Sequence, residues 1–251
     1  MASELRIVPV TGIGEVRPGD DLPALLLKAL EDQGEPLRDG DILIVTQKIV
    51  SKAEGRIVNP DDVSPSAFAH SIAAQGRKDA AYYEVVLRES ARIARMDRGV
   101  LIVETRHGII CANAGVDESN VGGGRVVTLL PEDSDRSAAE LRAAIRERAG
   151  AEVAVIISDT FGRPWRDGQV NVAIGVSGIE AVSDYRGEVD PYGYELHATA
   201  IAVADELAAA GELVMGKTDQ VPVALIRGYR FRPAAGSART LLRDPAKDMF
   251  R

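Results

Sequence analysis

The chain has 251 residues, of which 45% are hydrophobic and 27% charged, and a formal net charge of −8. That composition suits a globular protein with a real core, in one large domain or two smaller ones. It argues against a nucleic-acid partner, because an acidic chain with scattered Lys and Arg offers no footprint for a phosphate backbone.

One cysteine, Cys111, allows no intramolecular disulfide, and its apolar surroundings read as a buried small hydrophobe. No apolar run approaches the roughly 20 residues that cross a bilayer, so no membrane role is expected. Met1-Ala2-Ser3-Glu4 lacks the organisation of a signal segment, which makes the cytoplasm the expected compartment.

In chain order, Leu5 to Val10 reads as a first strand. Asp20 and Asp21 then cap a helix with apolar Leu22, Leu25, Leu26 and Leu30. Asp41 to Val45 is a buried strand, and Ser51 to Arg56 after it reads as a polar stretch. Ser64-Pro65 opens a helix to about Gln75, and a second helix is expected from Ala80 to Arg95. Val100 to Glu104 and Ile109 to Ala112 form a hairpin around His107-Gly108, followed by a long irregular loop from Asn113 to Gly124. Val126 to Leu129 is strand-like. Ser137-Ala138-Ala139-Glu140 is a capping box for a helix that ends at Gly150. Residues 153–157 and Val170 to Val176 are strands, Leu196 to Ala210 a helix stopped by Gly211, and Val223 to Arg227 a late strand. A basic, turn-rich tail begins at about Arg230. Strands and helices mix without strict alternation, so the expected class is α+β with mixed sheets and flanking helices.

Four segments have the residue types for chemistry. The apolar run Val153 to Ile157 stops at Ser158-Asp159-Thr160, and a carboxylate beside a hydroxyl at a strand end is well placed for a ligand. The oxygens of Asp159 and Thr160 suit magnesium or manganese, while Arg163 and Arg166 suit phosphate or carboxylate. A helix cap and a turn explain the same letters equally well.

The Asn113–Gly124 loop offers Asp117, Glu118 and Asn120 in a setting that turn chemistry alone also explains. Lys52, after a buried strand, could neutralise a phosphoryl group or simply face solvent. Gly211 to Thr218 matches the Walker A pattern letter for letter. That motif needs a strand before it and a helix after it, and here a helix precedes and a strand follows, so a P-loop is rejected.

Six pieces in one order carry a resemblance. They are Pro9-Val10-Thr11-Gly12, Ile49 to Arg56, Asn113 to Val121, Ser158 to Arg163, Ala173 to Gly178, and Met215-Gly216 ahead of Val221-Pro222-Val223. Together they resemble the GTP-dependent gamma-glutamyl ligase family of coenzyme F-420 biosynthesis, over nearly the whole chain to about Arg230. The resemblance implies a two-domain mixed fold and an intertwined homodimer. It also implies addition of L-glutamate to the lactyl carboxylate of F-420-0, with GTP as co-substrate, through an acyl phosphate, and then further gamma-linked glutamates. It implies Mg2+ or Mn2+, two ions in all, and admits K+.

By matching motif, Asp117, Asp159 and Thr160 look like the metal ligands. Ile13, Gly14, Glu15, Val16, Gln47, Lys48, Lys52 and Asn120, with Met215, Gly216, Lys217, Thr218, Asp219 and Gln220, look like the nucleotide pocket. Lys52, Arg163 and Arg166 are the expected catalytic cations. Archaeal-type members have an acidic residue where this chain has Lys217, so the second metal is either held by Asp219 or Gln220 or partly replaced by the Lys217 charge. Some bacterial members carry a flavin-reductase-like C-terminal domain that these 251 residues do not include, and a standalone enzyme and a part of a longer fusion both fit. The competing readings are a metal-dependent phosphohydrolase and a non-catalytic module that binds deazaflavin or nucleotide.

Overall fold

The computed structural model describes residues 4–121 and 124–249, with the backbone alone for 119–121 and 124–125. The chain opens with β1 (Arg6–Val10), α1 (Leu22–Asp32), β2 (Ile42–Thr46) and α2 (Gln47–Ala53). It continues through β3 (Ile57–Val58), α3 (Ala67–Ala73), α4 (Ala80–Arg88), β4 (Ser90–Asp97), β5 (Val100–Thr105), β6 (Ile110–Ala112), β7 (Asp117–Val121) and β8 (Gly124–Thr128). The last stretch is α5 (Ser134–Ala149), β9 (Ala154–Arg163), β10 (Arg166–Ser177), β11 (Ser183–Asp184), β12 (Ala200–Ile201), α6 (Val203–Met215) and β13 (Val223–Arg227).

A five-stranded sheet in the order β1-β13-β2-β9-β10 forms the centre. β2 and β9 run parallel and the other pairs antiparallel. Side chains alternate between faces along a strand, and the two faces have separate cores. Leu43, Val45, Val155, Ile157 and Leu225 pack against Leu22, Leu26 and Leu30 of α1 and Leu141 and Ile145 of α5. Ile42, Ile44, Ile156, Ala224 and Ile226 pack against Val203, Ala204, Leu207 and Ala208 of α6. A third core joins α3 and α4 to the smaller sheets through Ile72, Tyr83, Val86, Leu101, Val103, Val116 and Val127. The α+β class with mixed sheets is as expected.

Several expected boundaries move. The Ser51 to Arg56 stretch begins inside α2, a helix too short to show a periodicity, in which Ser51 Oγ donates to Gln47 Oε1 at 2.8 Å. The helix expected from Ala80 to Arg95 ends at Arg88, because residues from Ser90 pair with β5. α3 starts after Ser66, whose hydroxyl accepts from the Ala69 amide, rather than at Ser64-Pro65. α5 starts three residues before the capping box, on an Asp133 side chain that accepts from the Arg136 amide, and Ser137 lies buried within the helix. The Asn113–Gly124 segment is largely ordered, since β7 pairs with β8. The helix expected from Leu196 starts at Val203 and runs through Gly211, whose Cα lies against Ile44. A Cβ there would sit 3.0 Å from the Ile44 Cβ, so this glycine permits close helix–sheet approach instead of stopping the helix.

β10 holds a bulge between Ala173 and Gly175, where its register to β9 shifts by one residue. Gly175 faces the start of α5 so closely that a Cβ would lie 2.2 Å from the Ser134 carbonyl oxygen. Backbone cannot yield as a side-chain tip can. Gly175→Ala should therefore cost about 1–3 kcal/mol or more, the range for overpacking, read as a lowered urea midpoint at an unchanged m-value. A midpoint within error of the parent would show that α5 moves aside freely.

Candidate active site

The parallel β2–β9 pair determines where the site lies. Parallel strands end at the same edge of a sheet, where the chain turns away and leaves a crevice. Thr46 lies beside Ser158 at that edge. After Thr46 the chain turns into α2 and presents Gln47, Lys48 and Lys52, while β9 continues to Asp159 and Thr160. The expectation that the strand stops at Ser158 is thus corrected. β9 runs on to Arg163 in a long hairpin with β10, and Asp159 and Thr160 are held by cross-strand pairing to Val172 and Asn171. A cleft of about 730 Å³ opens over this edge, walled by Gly14 to Val16, Ala112, Gly115 to Asp117, and Glu212 with Met215 to Lys217 and Gln220.

Asp117 reaches the cleft from the other side, at the start of β7. It is delivered by a turn in which Asn113 (φ 51°), Ala114 (φ 56°) and Gly115 (φ 67°) are all left-handed. For a residue with a Cβ that conformation costs about 1–2 kcal/mol. The turn is fixed by the Asn113 side chain, which accepts from the Leu101 amide, and by burial of Ala114. Gln220, on the opposite wall, is left-handed too (φ 56°). Such strain held in place on both sides of a cleft is common at functional sites.

Asp117 is ion-paired with Lys48. Asp159 sits deeper. Burial pushes its carboxyl up to about 6, the Thr160 amide at 2.8 Å opposes this, nearby Asp117 adds to it, and Lys217 and Lys48 partly relieve it. Two carboxylates facing each other in a partly dry cleft hold a position suited to a cation. Lys52, with a side chain only 13% exposed, lies 3.4 Å from Glu15 Oε1. Cys111 is inert, as expected, because burial and then Asp159 push its thiol up to about 12.

On the far side of Asp159 is a ring of side chains. The Lys217 ammonium is 2.7 Å from Thr160 Oγ1 and 2.6 Å from Glu212 Oε1. The Thr160 hydroxyl lies 2.7 Å from Asn171 Oδ1, and Asn171 Nδ2 donates to Glu212 Oε2 at 2.9 Å.

Most of the expected site residues converge here. Gly14, Glu15, Val16, Gln47, Lys48, Lys52, Asp117, Asp159, Thr160, Met215, Gly216, Lys217 and Gln220 all line the cleft. Ile13 packs in the core beneath it. Thr218 and Asp219 are exposed beside it without lining it. The side chain of Asn120 lies outside the described residues.

Arg163 and Arg166 are not brought to the cleft. They face each other at the tip of the β9–β10 hairpin, where Arg163 Nη2 donates to the Asp167 carbonyl at 2.6 Å. Asn171, Glu212 and Gln169 went unrecognised in the sequence. Asn171 was findable, as the one polar side chain in the apolar run Val170 to Val176, and it is only 3% exposed. Glu212 reads as an ordinary helix-surface acid until the fold places it.

The oxygens of Asp117 and Asp159 fit a hard divalent ion. Magnesium takes one or two carboxylates and completes its shell with water and substrate phosphates. Among the described residues no group of three or more His, Cys, Asp or Glu is placed to hold a metal, so a closed all-protein cage is not what this cleft offers. The Walker A letters are not a P-loop, because Gly211 to Met215 are helix rather than a loop after a strand. Among the described residues no helix is long and apolar enough to cross a membrane.

Comparison with known proteins identifies the family. The family model described as F420-0:Gamma-glutamyl ligase matches residues 12–228. A protein of Methanothermobacter thermautotrophicus named coenzyme F420:L-glutamate ligase is 46% identical over 98% of this chain and 99% of its own length. A protein of the same name from Methanopyrus kandleri is 47% identical over 98% of both chains. Another from Methanocaldococcus jannaschii is 43% identical over 86% of both. With a family match over more than half of its length and such relatives across nearly all of it, the chain belongs to the F420-0:gamma-glutamyl ligase family.

Proposed function

We propose that this protein ligates L-glutamate to F-420-0 at the expense of GTP and then extends the product with gamma-linked glutamates. The observation that supports this most is the meeting of two carboxylates, Asp117 and Asp159, with three ammonium groups, Lys48, Lys52 and Lys217, in one cleft whose lining, among the described residues, has no Cys, Ser or His. A carboxylate is a poor electrophile, and such a cleft suits its activation by phosphoryl transfer.

In this reading a substrate carboxylate oxygen attacks the γ-phosphorus of GTP, and GDP leaves with the bond electrons. The amine of glutamate attacks the acyl carbon, phosphate leaves, and the nitrogen loses a proton. Charge builds on the phosphoryl oxygens and the leaving phosphate, so catalysis rests on positioning and fixed positive charge.

Lys52 and Lys48, one turn apart on α2, are placed to hold phosphate oxygens, while the Gln47–Ser51 bond keeps the helix start rigid. Gly14 to Val16, and Met215 to Lys217 with Gln220, would wall the nucleotide pocket, with Asn120 a further nucleotide contact. Asp117 and Asp159 would hold magnesium or manganese, which would supply Lewis acidity at the phosphates. K+ and a homodimer belong to the same reading.

Mass spectrometry of a mixture of F-420-0, GTP and glutamate should show stepwise glutamate additions, with GDP and phosphate released only when both other substrates are present. GDP release indifferent to glutamate and F-420-0 would make the protein a phosphohydrolase, and ligand binding without turnover would make it a binding module.

A further inference from the structure

Asp117 and Asp159 by themselves do not set how many metal ions the cleft holds. Each of the two carboxylates has an ammonium near it, and the two differ in how they are held. Lys48 meets Asp117 through Oδ2 alone, whereas the Lys217 ammonium beside Thr160 is held twice, by Thr160 Oγ1 and by Glu212 Oε1.

We propose that Lys217 is a built-in cation at Thr160, and that the enzyme therefore works with a single divalent ion, held on Asp117 and Asp159. The inference rests on the proposal that those two carboxylates bind a metal ion.

The ring leaves little for another ion to use. The Thr160 hydroxyl receives the ammonium and gives its own proton to Asn171 Oδ1. The two oxygens of Glu212 are divided between Lys217 and the Asn171 amide. Every polar atom of the ring thus has a partner of the right type. Magnesium at Thr160 would have to sit about 2.0–2.1 Å from that hydroxyl oxygen. It would then share the oxygen with an ammonium at hydrogen-bond distance, with like charges opposed in a partly desolvated cleft.

Geometry holds Lys217 in place from below as well. α6 ends at Gly216 (φ 59°), whose amide bonds to the Glu212 carbonyl, so the helix turn that carries Glu212 also sets the start of the Lys217 loop. With two of its three donors used among the described residues, the ammonium has one left for a phosphoryl oxygen. It would supply fixed positive charge there without exchanging with solvent. Asp159 lies between this ammonium and the ion site, with Oδ1 engaged by the Thr160 amide, which leaves Oδ2 for the ion.

Manganese is the probe for the test, counted by the loss of free-ion electron paramagnetic resonance signal as Mn2+ is titrated into the protein with a non-hydrolysable imido analogue of GTP. The parent chain should bind one Mn2+ per protomer, and Lys217→Glu, which replaces the cation by a ligand, should bind two. Two ions in the parent chain, or one in both proteins, would overturn the proposal. No bound ion in the parent chain would overturn the metal site itself and this inference with it. Lys217 is 59% exposed, so the variant should fold, and the count in the parent chain decides the matter even if it does not.

Discussion

Asp159→Asn should lower glutamate ligation by about 10^3-fold or more, the scale of losing a preorganised charge at a reacting centre, while raising the thermal stability of the ligand-free protein. The two effects have one cause. The Asp159 carboxyl is pushed up to about 6 from the ordinary 3.8 by burial, so its charged form is disfavoured in the folded state. Between those values the native state holds more protons than the unfolded chain, and stability falls as pH rises through that window. Above about 6 the full cost is present.

Asparagine keeps the size and removes the charge. Melting of the parent protein without metal should therefore drop between pH 4 and 6 relative to Asp159→Asn, and a saturating divalent ion with nucleotide should reverse the drop at pH 7. Near-normal ligation by the folded variant would remove Asp159 from the mechanism. Parallel melting curves across that window would show that its burial costs nothing. Destabilised charge at an active centre is a common cost of function.

Arg227→Met should destabilise the fold by about 3–5 kcal/mol, the cost of leaving a buried charge without its partner. Arg227, at the end of β13, donates from Nε to Asp41 Oδ1 at 2.8 Å and from Nη2 to Asp41 Oδ2 at 2.7 Å, and from Nη1 to Glu35 Oε2 at 2.8 Å. The Asp41 side chain is 2% exposed. The fork ties the α1–β2 connection to the sheet, so without it a carboxylate stays behind in a dry place.

Arg6→Met is the matched control. Its ion pair with Glu35 is half exposed on the arginine side and should be worth less than about 1 kcal/mol. Urea unfolding of both variants reads the difference, and equal midpoints would refute the argument. Ligation per folded molecule should be unchanged in Arg227→Met, since Asp41 precedes β2 and the cleft lies beyond its other end.

The central sheet was legible because β2, β13 and the first half of β9 are short, almost wholly apolar runs, and fully buried strands read that way. Helix α1 was legible from Asp21 and the leucine spacing, and the end of α5 from Gly150, which is left-handed as its cap. What stayed hidden depends on distant partners. Ser90 to Asp97 has helix-compatible letters and becomes a strand only because β5 lies beside it. Gly211 looks like a stop signal, and only the contact with Ile44 shows that it is there for close packing. Asp159, Asp117 and Lys52 stood out by residue type and position, and the motif resemblance is what joined them, with Lys48, into one expected site. The Lys217 ring could not be found that way, since it joins residues from β9, β10, α6 and the loop after α6, and no local pattern encodes such a meeting.

The two facing carboxylates belong to different hydrophobic cores. Asp159 extends from the central sheet, whereas Asp117 follows directly on Val116 of the third core. The gap between them is therefore set by how the two cores pack together. A ligand bound across it would add to the polar links that already join the two sides, the Lys48–Asp117 and Arg56–Glu89 ion pairs. Substitutions along the seam of the two cores, far from the cleft itself, should therefore alter ligation by changing that gap.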